Sequence, residues 1–202
     1  MQGLILIPDI SGFTNFVNTV NIKHGVVVTK DLLNEIINSN PFDTHLSEVE
    51  GDALLYFKLG KPILPEQLFK GLRKMYEAFN RRYEVLKNRY AVKSALSLKF
   101  IVHYGNILIY DIQGFKKLFG QTVIESHLLM KTGTHLQDYV LITDDYLRAV
   151  AASTGEILLT DWNFNCHGSQ SFNGLKEINY YFFNLSATHP AETSMRTSDL
   201  RA

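Results

Sequence analysis

A run of four aliphatic residues, Leu4 to Ile7, lies almost at the start of the sequence and is followed at once by Pro8 and Asp9. Such an unbroken apolar run is typical of a strand that is buried on both faces of a sheet. The run therefore predicts a central strand with other elements packed on each side. An acid at the end of such a strand either belongs to the turn that follows or holds a ligand.

The composition is that of an ordinary globular protein. The chain has 202 residues, of which 46% are hydrophobic, and Lys plus Arg balance Asp plus Glu at 20 each. Without a basic excess or a basic stripe, we expect no nucleic acid and no membrane surface as partner. Cys166 is the single cysteine, which favours a reducing, cytoplasmic location. The short apolar run at the start, with no basic segment before it, predicts neither a signal peptide nor a spanning helix.

Hydrophobic periodicity predicts helices and strands that alternate along the chain. Apolar residues at helical spacing predict a helix capped by Ser11, a second helix that ends near Pro41 and a long helix from Pro65. Two strands around a turn at 50–52 form a predicted β-hairpin. Further predicted elements are a strand near 96–103 that turns at 105–106, a helix over 121–132, a strand and helix over 139–153 and a closing strand over 177–185.

The element order predicts the fold class and the domain limits. The order β-α-β-β-α-β with further elements favours an α+β sandwich of the ferredoxin-like type, with helices packed on one sheet. We predict one domain over residues 1–187. The tail over 188–202 is rich in Ser, Thr and Pro and poor in apolar residues, which predicts disorder.

Asp9 and Asp52 occupy comparable places, because each lies where a predicted strand meets a turn. The first strand of a βαββ unit lies beside the third, so the two side chains can converge on one edge of the sheet. Two hard oxygen ligands with open positions suit Mg²⁺ when a polyphosphate completes its shell. Backbone N–H groups at the following helix start favour a phosphate there. They belong to Ser11, Gly12, Phe13 and Thr14. The alternative is that both acids belong to turn structure only.

Two segments carry a family resemblance. "PDISGFT" and, about forty residues further on, "EVEGDALLYF" resemble the two signature segments of class III nucleotidyl cyclases, the adenylate/guanylate cyclase homology domain. The resemblance continues in order through "VHYGNILIYDIQG", "KLFGQTVIESHLL", "LITDDYLRAVAA" and "FNGLKEINYYFFNL", to about residue 186. It is nearest to a bacterial group of uncharacterised cyclase-like proteins. It implies a ferredoxin-like βαββαβ sandwich with an added C-terminal strand-helix-strand extension.

Part of the family's site is retained. By the resemblance, Asp9 and Asp52 match the acids that bind Mg²⁺ or Mn²⁺ ions, which activate the ribose 3′-hydroxyl and neutralise the triphosphate. Glu48 matches the position that helps to choose the base, in its guanine-selective form. The partner position is Lys117, which fits neither the adenine nor the guanine pattern. An ion pair between Glu48 and Lys117 would leave no free reader of the base.

Another part of the site is altered. Ile124 and Leu128 stand where the family has an Asn that orients the ribose and an Arg that steadies the developing charge. Asn173 replaces a Lys that grips the triphosphate. Losing one such donor commonly costs about a hundred- to a thousandfold in rate. His127 or Lys131 on the same helix could replace the missing cation, and the alternative is that they are solvated surface residues.

These matches and losses predict a catalytically degenerate cyclase-homology domain that binds a divalent metal or a nucleoside triphosphate and serves as a sensing or scaffolding module. One alternative is an active divergent cyclase that makes a cyclic nucleotide, cGMP- or cAMP-like, and pyrophosphate. Another is a purely structural protein. Because the family's site lies between two subunits, the resemblance also predicts a head-to-tail homodimer with a two-fold axis.

Overall fold

The computed structural model describes residues 1–132, 137–155, 164–171 and 177–186. Its strands are β1 Gln2–Ser11, β2 His45–Glu50, β3 Ala53–Leu59, β4 Ser97–Asn106, β5 Leu108–Ile112, β6 Phe115–Phe119, β7 Tyr139–Thr143, β8 Phe164–Ser171 and β9 Glu177–Asn184. Its helices are α1 Phe13–Thr19, α2 Ile22–Ser39, α3 Pro65–Tyr90, α4 Gln121–Leu129 and α5 Asp144–Thr154. The predicted tail over 188–202 lies outside the described residues, and the single domain over 1–187 stays a prediction.

Seven strands form one sheet in the order β2-β3-β1-β4-β7-β9-β8, while β5 and β6 form a separate hairpin. β1 lies between β3 and β4 and is antiparallel to both, which is the arrangement of a ferredoxin-like βαββαβ unit. β7 then pairs parallel to β4, and β9 and β8 add antiparallel strands beyond it. The predicted α+β class, the ferredoxin-like core and the C-terminal extension are confirmed.

The aliphatic run of β1 is covered on both faces, as predicted. Leu4 and Leu6 pack into a core formed with α2, α3 and α5. Ile5 and Ile7 pack into a second core under α4. All four side chains are at most 1% exposed. Because side chains alternate along a strand, Asp9 shares with Ile5 and Ile7 the face that carries α4.

Polar contacts fix the first half of α4 to β4. Thr122 Oγ1 donates a hydrogen bond of 3.0 Å to the last carbonyl oxygen of β4. Gly105 permits this approach, because a Cβ there would collide with the side chain of Thr122. One turn later, Glu125 Oε2 lies 2.8 Å from His103 Nε2, and both side chains are buried. His103 Nδ1 lies 2.8 Å from Oγ1 of Thr143, the N-cap residue of α5. A buried hydrogen-bonded network therefore joins α4, β4 and the start of α5.

Three details differ from the sequence-based predictions. The N-cap of α1 is Gly12, with φ of 84° and no side-chain cap, so the predicted capping role of Ser11 is wrong. Ser11 is the last residue of β1 and pairs with Ser97 instead. The turn predicted at 105–106 is also wrong, because both residues lie within β4. The chain turns at Gly114 instead, between β5 and β6. The sequence did not predict β8, because "FNCHGSQS" has few apolar residues and no alternation.

The β5–β6 hairpin carries an exposed apolar face. Its side chains are 44–71% exposed, and they belong to Leu108, Tyr110, Ile112, Phe115 and Phe119. An isolated two-stranded hairpin is marginally stable in water, and these side chains leave apolar surface in contact with solvent. Of the helices within the described residues, none combines the length and the hydrophobicity needed to cross a membrane.

Candidate functional site

Asp9 is held near the end of β1 by the strands on both sides. It lies opposite Ala53 of β3 and opposite Lys99 of β4. The residue is only 7% exposed. The register of a central strand, and not a loop, therefore fixes the position of this carboxylate. A carboxylate buried to this extent needs a cation or hydrogen-bond donors beside it.

Asp52 lies in the turn between β2 and β3, beside the end of β1. Its carbonyl oxygen accepts a hydrogen bond of 3.2 Å from the backbone N–H of Ile10. Burial raises the pKa of the Asp52 carboxyl to about 6, and the negative charge of Asp9 and a hydrogen bond with it add to the rise. The structure thus brings Asp9 and Asp52 together where β1 ends and the neighbouring strand β3 begins, as the βαββ order predicts.

Lys99 lies beside the two acids, although the sequence did not assign it to the site. Its Nζ is 2.9 Å from Asp9 Oδ2, and the two side chains are 16% and 10% exposed. The same Nζ donates a hydrogen bond of 3.1 Å to the carbonyl oxygen of Met130, at the end of α4. Burial and the charge of Asp9 raise the pKa of Tyr139 to about 12, so this phenol also lies near the carboxylate. Only the register of β1 against β4, which the sequence does not give, reveals Lys99.

The two acids fit a divalent cation whose shell is completed by other molecules. Over the part of the chain that the structure describes, no group of three or more His, Cys, Asp or Glu side chains is arranged to hold a metal ion. Carboxylate oxygens are the donors that Mg²⁺ and Mn²⁺ prefer, and Mg²⁺ usually keeps several water or phosphate oxygens. Asp9 and Asp52 would supply the protein's share of such a shell.

Glu48 of β2 forms an ion pair with Lys117 of β6. Lys117 Nζ lies 3.0 Å from Glu48 Oε1. Burial acts to raise the pKa of Glu48, but the hydrogen bond and the charge of Lys117 bring it below its ordinary value. The carboxylate that would read a base is therefore already engaged, as the sequence suggested.

A second contact joins β2 to α4. His127 Nδ1 lies 3.6 Å from Glu50 Oε2. Burial and a hydrogen bond with Glu48 raise the pKa of the Glu50 carboxyl. His127 is thus directed to an acid of its own chain, while Lys131 is exposed just after α4. No pattern in the sequence predicts the contact between His127 and Glu50.

The altered positions of α4 offer no donors. Ile124 is 55% exposed, and Leu128 is half-buried. Both side chains are aliphatic, so neither can donate to a ribose or phosphate oxygen. Asn173, the third altered position, lies outside the described residues.

The segment after β1 forms a tight turn into α1. Gly12 adopts a positive φ, and a Cβ there would collide with the carbonyl oxygen of Ala95. Phe16 N donates to the Gly12 carbonyl oxygen at 3.1 Å, which closes the first helical turn. The N–H groups of Phe13 and Thr14 precede that bond and have no acceptor within the helix. The turn therefore places backbone donors beyond Ser11, near the end of the strand that carries Asp9.

The architecture is similar to that of solved nucleotidyl cyclases. The guanylyl cyclase Cya2 is 12% identical with a TM-score of 0.68, and the match covers 96% of this chain and 98% of that chain. The adenylyl cyclase CyaB from P. aeruginosa is 13% identical with a TM-score of 0.64, over 94% of this chain and 97% of that chain. The guanylate cyclase domain of RhGC from Catenaria anguillulae, solved in complex with GTP, is 12% identical with a TM-score of 0.55, over 94% and 97%. At these identities the similarity establishes the fold.

The sequence itself matches one family. A comparison with curated proteins gives no match. Residues 29–139, more than half of the chain, match the family described as "Protein of unknown function (DUF2652)". This range includes Asp52 and α4 and leaves out Asp9. The chain therefore belongs to the DUF2652 family, and its fold is that of the class III nucleotidyl cyclases.

Proposed function

We propose that this chain is a catalytically degenerate cyclase-homology domain, which binds a divalent cation with a nucleoside triphosphate and serves as a sensing or scaffolding module. One observation carries the proposal: the Asp52 turn is hydrogen-bonded to the end of β1 that carries Asp9, while Ile124 and Leu128 present aliphatic side chains on α4. The acids can bind a metal ion, but the helix cannot donate to the substrate in the transition state. Binding without efficient turnover is the expected result.

The cation, Mg²⁺ or Mn²⁺, would be held by Asp9 and Asp52. When bound, it would neutralise charge on the triphosphate. The backbone N–H groups of Phe13 and Thr14 begin α1 at the end of the same strand, and N–H groups in that position favour phosphate oxygens. The single cysteine of the sequence supports a reducing, cytoplasmic setting, where nucleoside triphosphates are available.

The base would meet the Glu48–Lys117 ion pair. A carboxylate accepts hydrogen bonds, so Glu48 suits the N1–H and amino group of guanine once Lys117 moves aside. With the pair closed, the carboxylate has little capacity left for a base. We therefore expect binding to be governed more by the metal and the phosphates than by base identity.

The assembled form would be a two-fold homodimer. The support is the exposed apolar face of the β5–β6 hairpin, whose Phe115 and Phe119 are 71% and 66% exposed. A second copy of the chain would cover this face and satisfy the hydrophobic surface. In such a dimer, by the family resemblance, the acids of one subunit would face α4 of the other.

Calorimetric titration with Mn²⁺ and a non-hydrolysable GTP analogue tests the binding. We expect heat beyond dilution with the wild type and at least about a tenfold loss of affinity in Asp9→Ala. Asp43→Ala is a matched control, because the Asp43 side chain is 97% exposed and lies at the other end of the β2–β3 hairpin. No heat with the wild type would overturn the proposal in favour of a structural protein.

Incubation with Mn²⁺ and each nucleoside triphosphate tests the degeneracy. We expect neither cyclic nucleotide nor pyrophosphate. Products that form with the wild type and disappear with Asp9→Ala would instead establish a divergent cyclase, with substitutes for the missing donors. The engagement of His127 with Glu50 speaks against His127 as such a substitute.

A further inference from the structure

Lys99 makes two contacts at once, and they join the acid pair to α4. Its ammonium lies 2.9 Å from Asp9 Oδ2, with the lysine side chain only 16% exposed. It also donates 3.1 Å to the carbonyl oxygen of Met130. One side chain therefore serves as the counter-ion of Asp9 and as a donor to the end of α4.

The contact with Met130 stabilises the C-terminal end of the helix. Met130 is the C-cap residue of α4, and carbonyl groups at a helix end lack intrahelical donors. A lysine ammonium there satisfies a carbonyl and complements the negative end of the helix dipole. Losing this contact would remove a side-chain donor and a positive charge from the C-terminal end of α4.

A divalent cation and the Lys99 ammonium compete for the same carboxylate. An ion bound to Asp9 at an ordinary metal–oxygen distance would lie within roughly 5 Å of Nζ. A double and a single positive charge so close together, in partly buried surroundings, repel each other strongly. Binding of the metal ion to Asp9 therefore weakens the ion pair between Asp9 and Lys99.

We propose that Lys99 is an internal competitor for the metal, which holds Asp9 while the site is empty and is displaced when a divalent cation binds. The displacement breaks the contact with Met130 and loosens the end of α4. The end of α4 would therefore differ between the metal-free and the metal-bound protein. This inference rests on the proposed metal binding at Asp9 and Asp52.

Lysine labelling of the wild-type protein tests the displacement. Amine acylation is measured by mass spectrometry without Mg²⁺ and at a Mg²⁺ concentration that saturates binding in a separate calorimetric titration of the protein with Mg²⁺. We expect the labelling rate of Lys99 to rise several-fold with Mg²⁺, together with faster hydrogen exchange at residues 130–132. Lys58 is the internal control: it is also a paired strand lysine, 3.3 Å from Asp43, and its rate should stay constant. Unchanged labelling of Lys99 in the metal-saturated protein would overturn the inference.

Removal of the competitor tests the affinity. At pH 8, where Asp52 with its pKa of about 6 is ionised, Lys99→Met should bind Mn²⁺ at least about tenfold more tightly than the wild type. Lys58→Met removes one positive charge elsewhere and should leave the affinity unchanged. Circular dichroism checks that Lys99→Met folds, and the labelling of the wild type decides the question if it does not.

The outcomes separate the inference from the proposed function. Tighter binding by Lys99→Met than by a wild type that also binds would support the competition. Equal affinity of the two proteins would overturn the inference and leave the metal site standing. No binding by either folded protein would overturn both.

Discussion

Asp9 and Ile124 lie on the two sides of the nucleotide site that we propose, and their surroundings are opposite. Asp9 is 7% exposed and is held by strands on both sides, whereas Ile124 is 55% exposed on the surface of a helix. Substitutions on an exposed helix surface usually change the free energy of unfolding by less than about 0.5 kcal/mol. A change at a buried, paired carboxylate removes a partner from Lys99 and costs more. A change at the helix positions therefore costs the fold little, whereas a change at Asp9 costs it more.

Asp9 also has a structural role. Asp9 is paired with Lys99 at 2.9 Å, so it contributes to the packing of the rim whether or not a metal ion binds. Its contribution to stability is therefore independent of turnover. Substitutions can test the acids, Asp9 and Asp52, separately from the helix positions, Ile124 and Leu128.

The first prediction tests the proposed dimer, in which the acids of one subunit would face α4 of the other. Phe115→Ser with Phe119→Ser removes two exposed aromatic side chains from the apolar face of the hairpin. We expect the dissociation constant of the dimer to rise about a hundredfold, because buried aromatic residues dominate interface energies. Sedimentation velocity measures it. Ile22→Ser, at a residue that is 80% exposed on α2, is the control and should have no effect.

A second experiment rebuilds the helix side. Ile124→Asn with Leu128→Arg restores a donor and a cation, and we expect at least about tenfold tighter binding of the triphosphate, since charged hydrogen bonds to phosphate are strong. Calorimetry measures the affinity, and chromatography of the products measures any turnover. Ile22→Asn with Val26→Arg places the same side chains four residues apart on α2 and should change nothing. Unchanged affinity in the rebuilt protein would show that α4 does not reach the nucleotide.

The third prediction concerns the acid side alone. The pKa of Asp52 is about 6 in the folded protein against an ordinary 3.8, so between these values the unfolded state releases a proton that the folded state keeps. The free energy of unfolding should therefore fall as pH rises from about 4 to 6. With allowance for the half-exposed side chain, the fall is about 1 kcal/mol. Asp52→Asn should remove it in urea titrations.

Asp43→Asn is the control for this pH dependence, because the Asp43 side chain is 97% exposed. It should leave the slope of stability against pH as in the wild type. A wild-type slope in Asp52→Asn would mean that another group carries the dependence.

The smallest effect is expected at the base-reading pair. Lys117→Ala frees the Glu48 carboxylate and removes an ion pair that is 42% and 24% exposed at its two ends. Stability should change by less than about 1 kcal/mol. The affinity for a GTP analogue should rise about threefold over that for an ATP analogue, a change within the range of one weak hydrogen bond. Lys116→Ala, an exposed neighbour, is the control, and an equal rise for both nucleotides would contradict base reading by Glu48.

The sequence predicts the core of this fold because its signals are local. The aliphatic run of β1, the hairpin turn before Asp52 and the helical stripe from Pro65 each follow from residues that are close together in the chain. The βαββ order then fixes which strands are neighbours, so the meeting of Asp9 and Asp52 could be predicted.

The contacts that complete the site could not be predicted, because they depend on register. Which residue of β4 faces Asp9 is decided by how two cores pack against both faces of the sheet, and this selects Lys99. The contact of His127 with Glu50 depends on how α4 is rotated on the sheet. The capping role of Ser11 failed for a related reason, since pairing with Ser97 extends β1 to that residue.

The buried network of Thr122, Glu125 and His103 determines how α4 can respond to events at the rim. Sliding the whole helix would break several hydrogen bonds shielded from water, at about 1–3 kcal/mol for each group left without a partner. The helix is therefore anchored at its beginning by this network, and Lys99 contacts it at its other end, at Met130. A change at Asp9 would reach α4 through that one side chain, while the buried network holds the start of the helix in place.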